Sequence, residues 1–283
     1  MKSGIILLDK DAGMTSRDAD NEVGRILGVK KIGHLGTLDP FATGLLIIGV
    51  DKGTKYLPYI DDSKKTYIAS LKLGQSTSTG DLTGEPKETA EVPNLSKADI
   101  AAALRSFLGE GEQIPPMTSA IKVNGEELYK KAHRGEEVER KPRRILVHSI
   151  NLISYIGQVI VFTCTVSQGT YIRVLGEDIA KKLGTVGHLT TLRRLAIGDI
   201  LVEKSYKISS LSFASVTEPS QYIPFKRHQV SGEEKRRVMN GAPLETGEDF
   251  GERILVVSGE EPLAVYKRLG ASGGHYVSER GLF

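Results

Sequence analysis

Apolar residues along this chain fall into short runs and stripes of two different periods. GIILL at residues 4–8 is a continuous apolar run of buried-strand length. Ala19, Val23, Ile26 and Leu27 then recur at helical spacing, with Thr15 or Ser16 available as a cap and Gly28 as a stop. After a glycine-rich stretch, LLIIGV at 45–50 predicts a second buried strand. KTYIASLKLG at 65–74 alternates, which places Tyr67, Ala69, Leu71 and Leu73 on one side of a strand. Residues 75–95 are polar and rich in Gly, Thr and Pro, and predict a long surface loop. Ser96, with Asp99 three residues on, opens a helix whose stripe is Ile100, Leu104, Phe107 and Leu108, ending at Gly109.

Strands are expected at about 145–154 and 158–167, and a helix from about Leu175 to Gly184. Helices and strands mix without a regular βαβ alternation, so the pattern predicts an α+β fold with a mixed sheet. The polar stretch 218–227 reads as a linker. Beyond it lie a short helix pattern near 231–240, an Asn240-Gly241 turn, and RILVV and LAVYK joined by Gly-Glu-Glu-Pro. The expected organisation is a large domain over 1–225 and a small, mostly-β module over 226–283.

Composition narrows the class. The 283 residues are 39% hydrophobic and 26% charged, ordinary for a globular protein. No apolar run approaches the ~20 residues of a membrane span, and the opening MKSGIILLDKDAG is too short in its apolar part for a signal peptide, so a cytoplasmic location without membrane attachment is expected. Cys164 is the single cysteine, in the run VIVFTCTV, and reads as a packed core thiol. The six histidines form neither HxxxH nor a pair with CxxC, so no metal site is expected. Net charge is +3, too mild on its own to imply nucleic acid. Residues 226–283 are neutral, so the excess lies in 1–225 and is densest at 130–144, where seven basic residues meet three glutamates.

The most informative segment is GHLGTLDPFATGLLIIGV at 33–50. Three glycines (Gly33, Gly36, Gly44) and Pro40 surround one carboxylate, Asp39. A rigid loop feeding a buried strand can hold one side chain in a fixed place, and both a structural Asp turn and a functional acid fit that description. In SQGTYIRVL at 167–175, Tyr171 and Arg173 lie two apart and would share a face of an extended chain. An arginine beside Asp39 would lower the carboxyl pKa, although spacing alone favours a surface arginine.

GHLGTLDPFATG, taken with LLDK at 7–10, KTYIA, GTYIR, LRRLAIG at 192–198 and the IPPMTSAIKVNGEELYKKAHRGEEV block from Ile114, resembles the TruB family of tRNA pseudouridine-55 synthases. The resemblance runs in order from about Gly4 to Ser210. It implies a pseudouridine synthase catalytic domain followed by a PUA-like RNA-binding module, and an isomerase that turns the T-loop uridine of the tRNA T-arm into pseudouridine, as a monomer and without a cofactor. It further implies Asp39 as the essential aspartate, Arg173 as its partner, and Tyr67 as the tyrosine that stacks on the flipped base and takes its C5 proton. His34 matches the histidine that enters the RNA stack as the base leaves. Tyr171 and Leu192 match residues lining the base pocket, and Lys10 a lysine of the opening motif with a supporting role. Residues 122–144, with Lys122, Lys130, Lys131 and Arg134, match the family's RNA-gripping insertion. Leu35 stands where the family usually has threonine, and Asp11 where proline is common.

Overall fold

In a computed structural model, which describes residues 3–119, 121–123 and 125–283, two sheets carry the chain. β1 (Gly4–Lys10) is buried nearly throughout, as its unbroken apolar run requires. α1 (Ser16–Leu27) is capped by Thr15 in a reciprocal capping box with Asp18, and stops at Gly28 in the left-handed conformation. Thr15 rather than Ser16 takes the cap because Ser16 is turned inward and buried. β2 (Ile32–Leu35) and β3 (Thr43–Val50) follow, then β4 (Lys64–Leu73), whose Tyr67, Ala69, Leu71 and Leu73 all enter one core cluster.

The large sheet runs β1, β3, the strand Gly187–Ile197, β4, then the strands Val159–Ser167, Arg143–Ile156 and Gly109–Gln113. Neighbours along it are antiparallel except β3 with Gly187–Ile197, which makes the sheet mixed. β2 and β1 both pair with β3. α1 packs with β1 and β3 in one cluster, and α2 (Lys97–Arg105) and the helix Ile172–Lys182 pack on the main core. The fold is α+β, as the irregular order of elements predicts.

Four expectations need correction. Residues 75–95 are not all loop: Gln75–Thr77 pairs with Pro86–Thr89. α2 ends at Arg105, so Leu108 is exposed rather than part of the stripe. The helix expected from Leu175 begins at Ile172. The segment read as a linker is pinned: Thr217 exchanges backbone hydrogen bonds with Ile5, and Pro219, Ser220 and Ile223 are buried.

The second sheet is made of five strands between Lys226 and Gly281, with the helix Gly232–Met239. It shares a core with the first sheet. Leu255, Val257, Val265 and Leu282 pack with Ile5, Leu7, Leu45 and Ile47. Among the described residues no helix is long and apolar enough to cross a membrane.

Candidate active site

The loop 36–42 between β2 and β3 is fastened from several elements. Ser16 donates through Oγ to the Leu38 carbonyl at 3.1 Å and accepts the Leu38 N–H at 2.9 Å. The Pro40 carbonyl accepts the Gly13 N–H at 2.8 Å and the Lys10 ammonium at 3.4 Å. Arg194 donates to the Gly36 carbonyl and to the Leu45 carbonyl, both at 2.7 Å. Gly36 (φ 72°) and Gly44 (φ 101°) lie where side chains are strained, and a β-carbon at Gly44 would collide with the Arg194 backbone. Gly33 has an ordinary φ and open space where a β-carbon would sit, so the geometry requires two of the three glycines.

This loop delivers Asp39 to Arg173. The guanidinium donates Nε–H to one carboxylate oxygen at 2.9 Å and Nη2–H to the other at 3.0 Å. Its remaining N–H groups go to the Thr79 carbonyl at 2.8 Å, the Thr118 hydroxyl at 2.6 Å and the Thr118 carbonyl at 2.9 Å. All five donors of the arginine are therefore used. Arg173 is 4% exposed at its side chain, whereas the Asp39 side chain keeps 32% of its surface open. Asp81, buried, lies 3.7 Å from Arg173 Nε.

The sequence leads one to expect that Arg173 lowers the pKa of Asp39. It does pull the value down, by charge and by hydrogen bonding, but burial pushes more strongly and the net direction is upward. The negative charge of Asp81 adds to the rise, and the positive charge of Lys10 opposes it. Arg173 also does not share an extended face with Tyr171. It occupies the first turn of the Ile172–Lys182 helix, and Tyr171 is that helix's N-cap. Gln113 fixes the cap: its side chain accepts the Tyr171 N–H at 3.0 Å and donates to the Tyr171 carbonyl at 3.3 Å.

Tyr67 and Arg194 face each other across the β4 pairing with Gly187–Ile197, and Leu192 faces Ala69 in the same register. Tyr67 and Leu192 are buried in the main core cluster, which also contains Leu38, Phe41 and Ile172 from either side of the Asp39–Arg173 pair. Burial raises the pKa of the Tyr67 phenol, against the positive charge of Arg194. Tyr171 is half-buried, and its phenol is likewise raised by burial. Cys164, opposite Tyr67 on the other flank, is a buried thiol pushed up to about 12 by burial. A cleft of about 730 Å³ runs alongside, lined among others by Pro40, Phe41, Ile68, Leu82 and Leu192.

Lys10 does not reach the open side of the site. It is fully buried, and its ammonium caps the carbonyls of Asp11, Met14 and Pro40, with its pKa lowered to about 8 by burial. His34, on β2, bonds through Nδ1 to Asp20 at 2.8 Å and through Nε2 to the Thr37 hydroxyl at 3.2 Å. In the basic insertion the ion pairs join residues of the same stretch. There Lys131 lies 3.4 Å from Glu126, and Arg134 bonds Glu126 at 2.7 Å and Glu136 at 2.6 Å. Lys130 lies on the helix Leu128–His133, and the side chain of Lys122 lies outside the described residues.

Arg194, Asp81, Gln113 and Asp20 carry the site's supporting contacts, and no motif in the sequence singles them out. For Arg194 a signal exists in LRRLAIG, where one of two adjacent arginines must turn toward the buried face of a strand. For Asp20 it is the presence of an acid beside the apolar stripe of α1.

Residues 24–172 match the model of the TruB family pseudouridylate synthase N-terminal domain. The chain is 41% identical over 276 residues to tRNA pseudouridine synthase B of Bacillus subtilis, covering 90% of this chain and 89% of that one. It is 43% identical over 226 residues to tRNA pseudouridine synthase B of Psychrobacter cryohalolentis, covering 78% of this chain but only 63% of that relative's length. In fold it is similar to a chain of a Cbf5-Nop10-Gar1 complex, with a TM-score of 0.75 at 22% identity, over 99% of this chain and 85% of that one.

Proposed function

The chain belongs to the TruB family of pseudouridylate synthases, and on that premise we propose that it isomerises uridine to pseudouridine in tRNA, at the T-loop position 55 of the T-arm. The observation that carries the reading is Asp39, held at both carboxylate oxygens by an arginine with no donor to spare, near a buried tyrosine.

The reaction breaks the N1–C1′ bond, turns the uracil and joins C5 to C1′. The C5 proton leaves and N1 regains one, so the net change is isomerisation without a redox or group-transfer cofactor. An ionised Asp39 either bonds covalently or stabilises charge developing at C1′. Arg173 favours that ionised form. The base must first leave the RNA stack, which costs a few kcal/mol. Stacking against Tyr67 offsets part of this, since base–aromatic stacking contributes roughly 1–3 kcal/mol. Tyr67 stands beside the site as the receiver of the C5 proton, Leu192 and Tyr171 line the base pocket, and His34 fills the place the base vacates. Lys10 acts from behind, through Pro40. Lys122, Lys130, Lys131 and Arg134 of the insertion grip the RNA backbone, and the sheet from Lys226 onward is a PUA-like second contact. The protein works as a monomer in the cytoplasm.

The test maps modified uridines in an unmodified tRNA transcript before and after incubation with the pure protein, using Asp39→Asn as the control. Pseudouridine at the T-loop position with wild type, and none beyond trace with the variant, is expected. Product at another site would overturn the substrate assignment, and turnover by Asp39→Asn would overturn the role of Asp39.

A further inference from the structure

Asp20 lies on the mostly apolar buried side of α1, with Ala19, Val23 and Leu27 and the hydrogen-bonded Ser16, and it is itself fully buried. One carboxylate oxygen, Oδ2, meets His34 Nδ1 at 2.8 Å, and Arg17, 71% exposed, approaches the same oxygen at 3.5 Å. The other oxygen, Oδ1, is buried with no hydrogen-bond partner among the described residues. Burying a carboxylate with one oxygen unsatisfied costs stability, and an apolar residue of similar size would avoid that cost. What the carboxylate gains here is a fixed partner at His34.

We infer that Asp20 is a positioning residue that locks the His34 ring, through Nδ1, in one orientation for contact with the RNA. A carboxylate can only accept, so Nδ1 carries the proton in the pair. In the neutral ring Nε2 is then an acceptor, and the Thr37 hydroxyl 3.2 Å away is its donor. Turning the ring over would set a carbon against the buried carboxylate. The imidazole is thus held at both nitrogens on the strand that leads into the Asp39 loop. A ring ordered before RNA arrives loses no rotamer freedom on insertion, which favours the step in which it replaces the departing base. This inference rests on the assignment of His34 to that step.

The experiment compares Asp20→Leu, His34→Ala and the double variant in single-turnover pseudouridine formation at saturating tRNA. Asp20→Leu should slow turnover by about 10- to 100-fold, the scale of one charge-assisted hydrogen bond, while tRNA affinity stays within about threefold. In the His34→Ala background the same change should add less than about twofold, because Asp20 acts only through the ring. Nitrogen-15 shifts of the His34 ring should report a protonated Nδ1 in the wild-type protein and lose that pinned tautomer in Asp20→Leu. Asp20→Asn, which keeps one acceptor oxygen, should recover part of the rate and supplies the comparison if leucine does not fold. An equal loss in both backgrounds, an unchanged tautomer, or an unaffected rate where His34→Ala is slow would overturn the inference. Wild-type turnover by His34→Ala would remove the role of His34 and this inference with it, while leaving the proposed function standing.

Discussion

Arg173 and Arg134 each hold a carboxylate through two guanidinium nitrogens at similar distances, one in the candidate site and one in the basic insertion. Arg173 is 4% exposed at its side chain and Arg134 is 48% exposed. The Arg173 donors not taken by Asp39 are fixed on Thr79 and Thr118, so the pair can neither rotate nor exchange. Arg134 divides itself between Glu126 and Glu136, both on the surface. Its hydrogen bond depresses the Glu126 carboxyl to about 2, yet surface ion pairs contribute little to stability and yield readily to a competing anion. The same pair of chemical groups therefore serves fixed charge in one place and exchangeable charge in the other, and burial decides which.

The largest way to break this contrast is Arg173→Lys. Lysine keeps the charge but has three donors on one nitrogen, and it cannot span both oxygens of Asp39 and both groups of Thr118. Turnover should fall by about 100-fold or more, the scale of removing one fixed electrostatic partner from a site, with tRNA binding nearly unchanged. A single-turnover rate within about tenfold of wild type would mean that the five-donor arrangement is not needed.

The pH dependence sharpens the buried side of the comparison. The pKa of Asp39 lies above its ordinary value of 3.8, because burial outweighs Arg173. Activity needs the ionised form, so lowering the pH protonates Asp39 and the rate falls through that raised pKa. The acid limb of single turnover should accordingly lie above that of an ordinary aspartate. Asp81 raises Asp39 and draws on the same arginine, so Asp81→Asn should move the limb to lower pH. A limb that stays in place or moves up in Asp81→Asn would show that another group governs it.

Much of this is legible in the sequence, and the failures share a cause. Tyr67 and its alternating neighbours announce β4, and the glycines around Asp39 announce a fixed loop. The strand Gly187–Ile197, at the centre of the sheet, carries no clear alternation because register shifts at Leu189/Thr191 and Arg194/Ala196 break its two-residue period. Those irregularities accompany the turning of Arg194 toward Gly36 and Leu45. The spacing of Tyr171 and Arg173 suggests extended chain because local sequence does not reveal that Gln113, 58 residues away, fastens a helix N-cap at Tyr171. The departures from the family pattern find plain partners: Leu35 packs against the Leu45 and Ile47 cluster, and Asp11 pairs with Lys207 at 2.5 Å. Chemistry carried by one residue and its neighbours in sequence is legible. Chemistry assembled from buried charges on distant strands is not.

The smallest expected effect lies on the exchangeable side. Neutralising Lys130, Lys131 and Arg134 together with glutamine should weaken tRNA binding and leave the rate at saturation near wild type, because the hydrogen bonds that hold Asp39 come from Arg173. Removing a phosphate contact should reduce the slope of log affinity against log salt by about 0.7 to 0.9, so the whole change is at most roughly two to three. Glu126 and Glu136 predict the opposite displacement. They hold Lys131 and Arg134 in the free protein, so RNA phosphates must displace them before those cations can contribute. Glu126→Gln with Glu136→Gln removes that competition and should tighten tRNA binding at low salt while making the slope steeper. Filter binding across a salt series reads both effects. If the cation variant leaves the slope unchanged, the insertion is a solvated face. If the glutamine pair weakens binding instead, the ion pairs shape the insertion for RNA rather than compete with it, and the contrast with Arg173 would be one of degree.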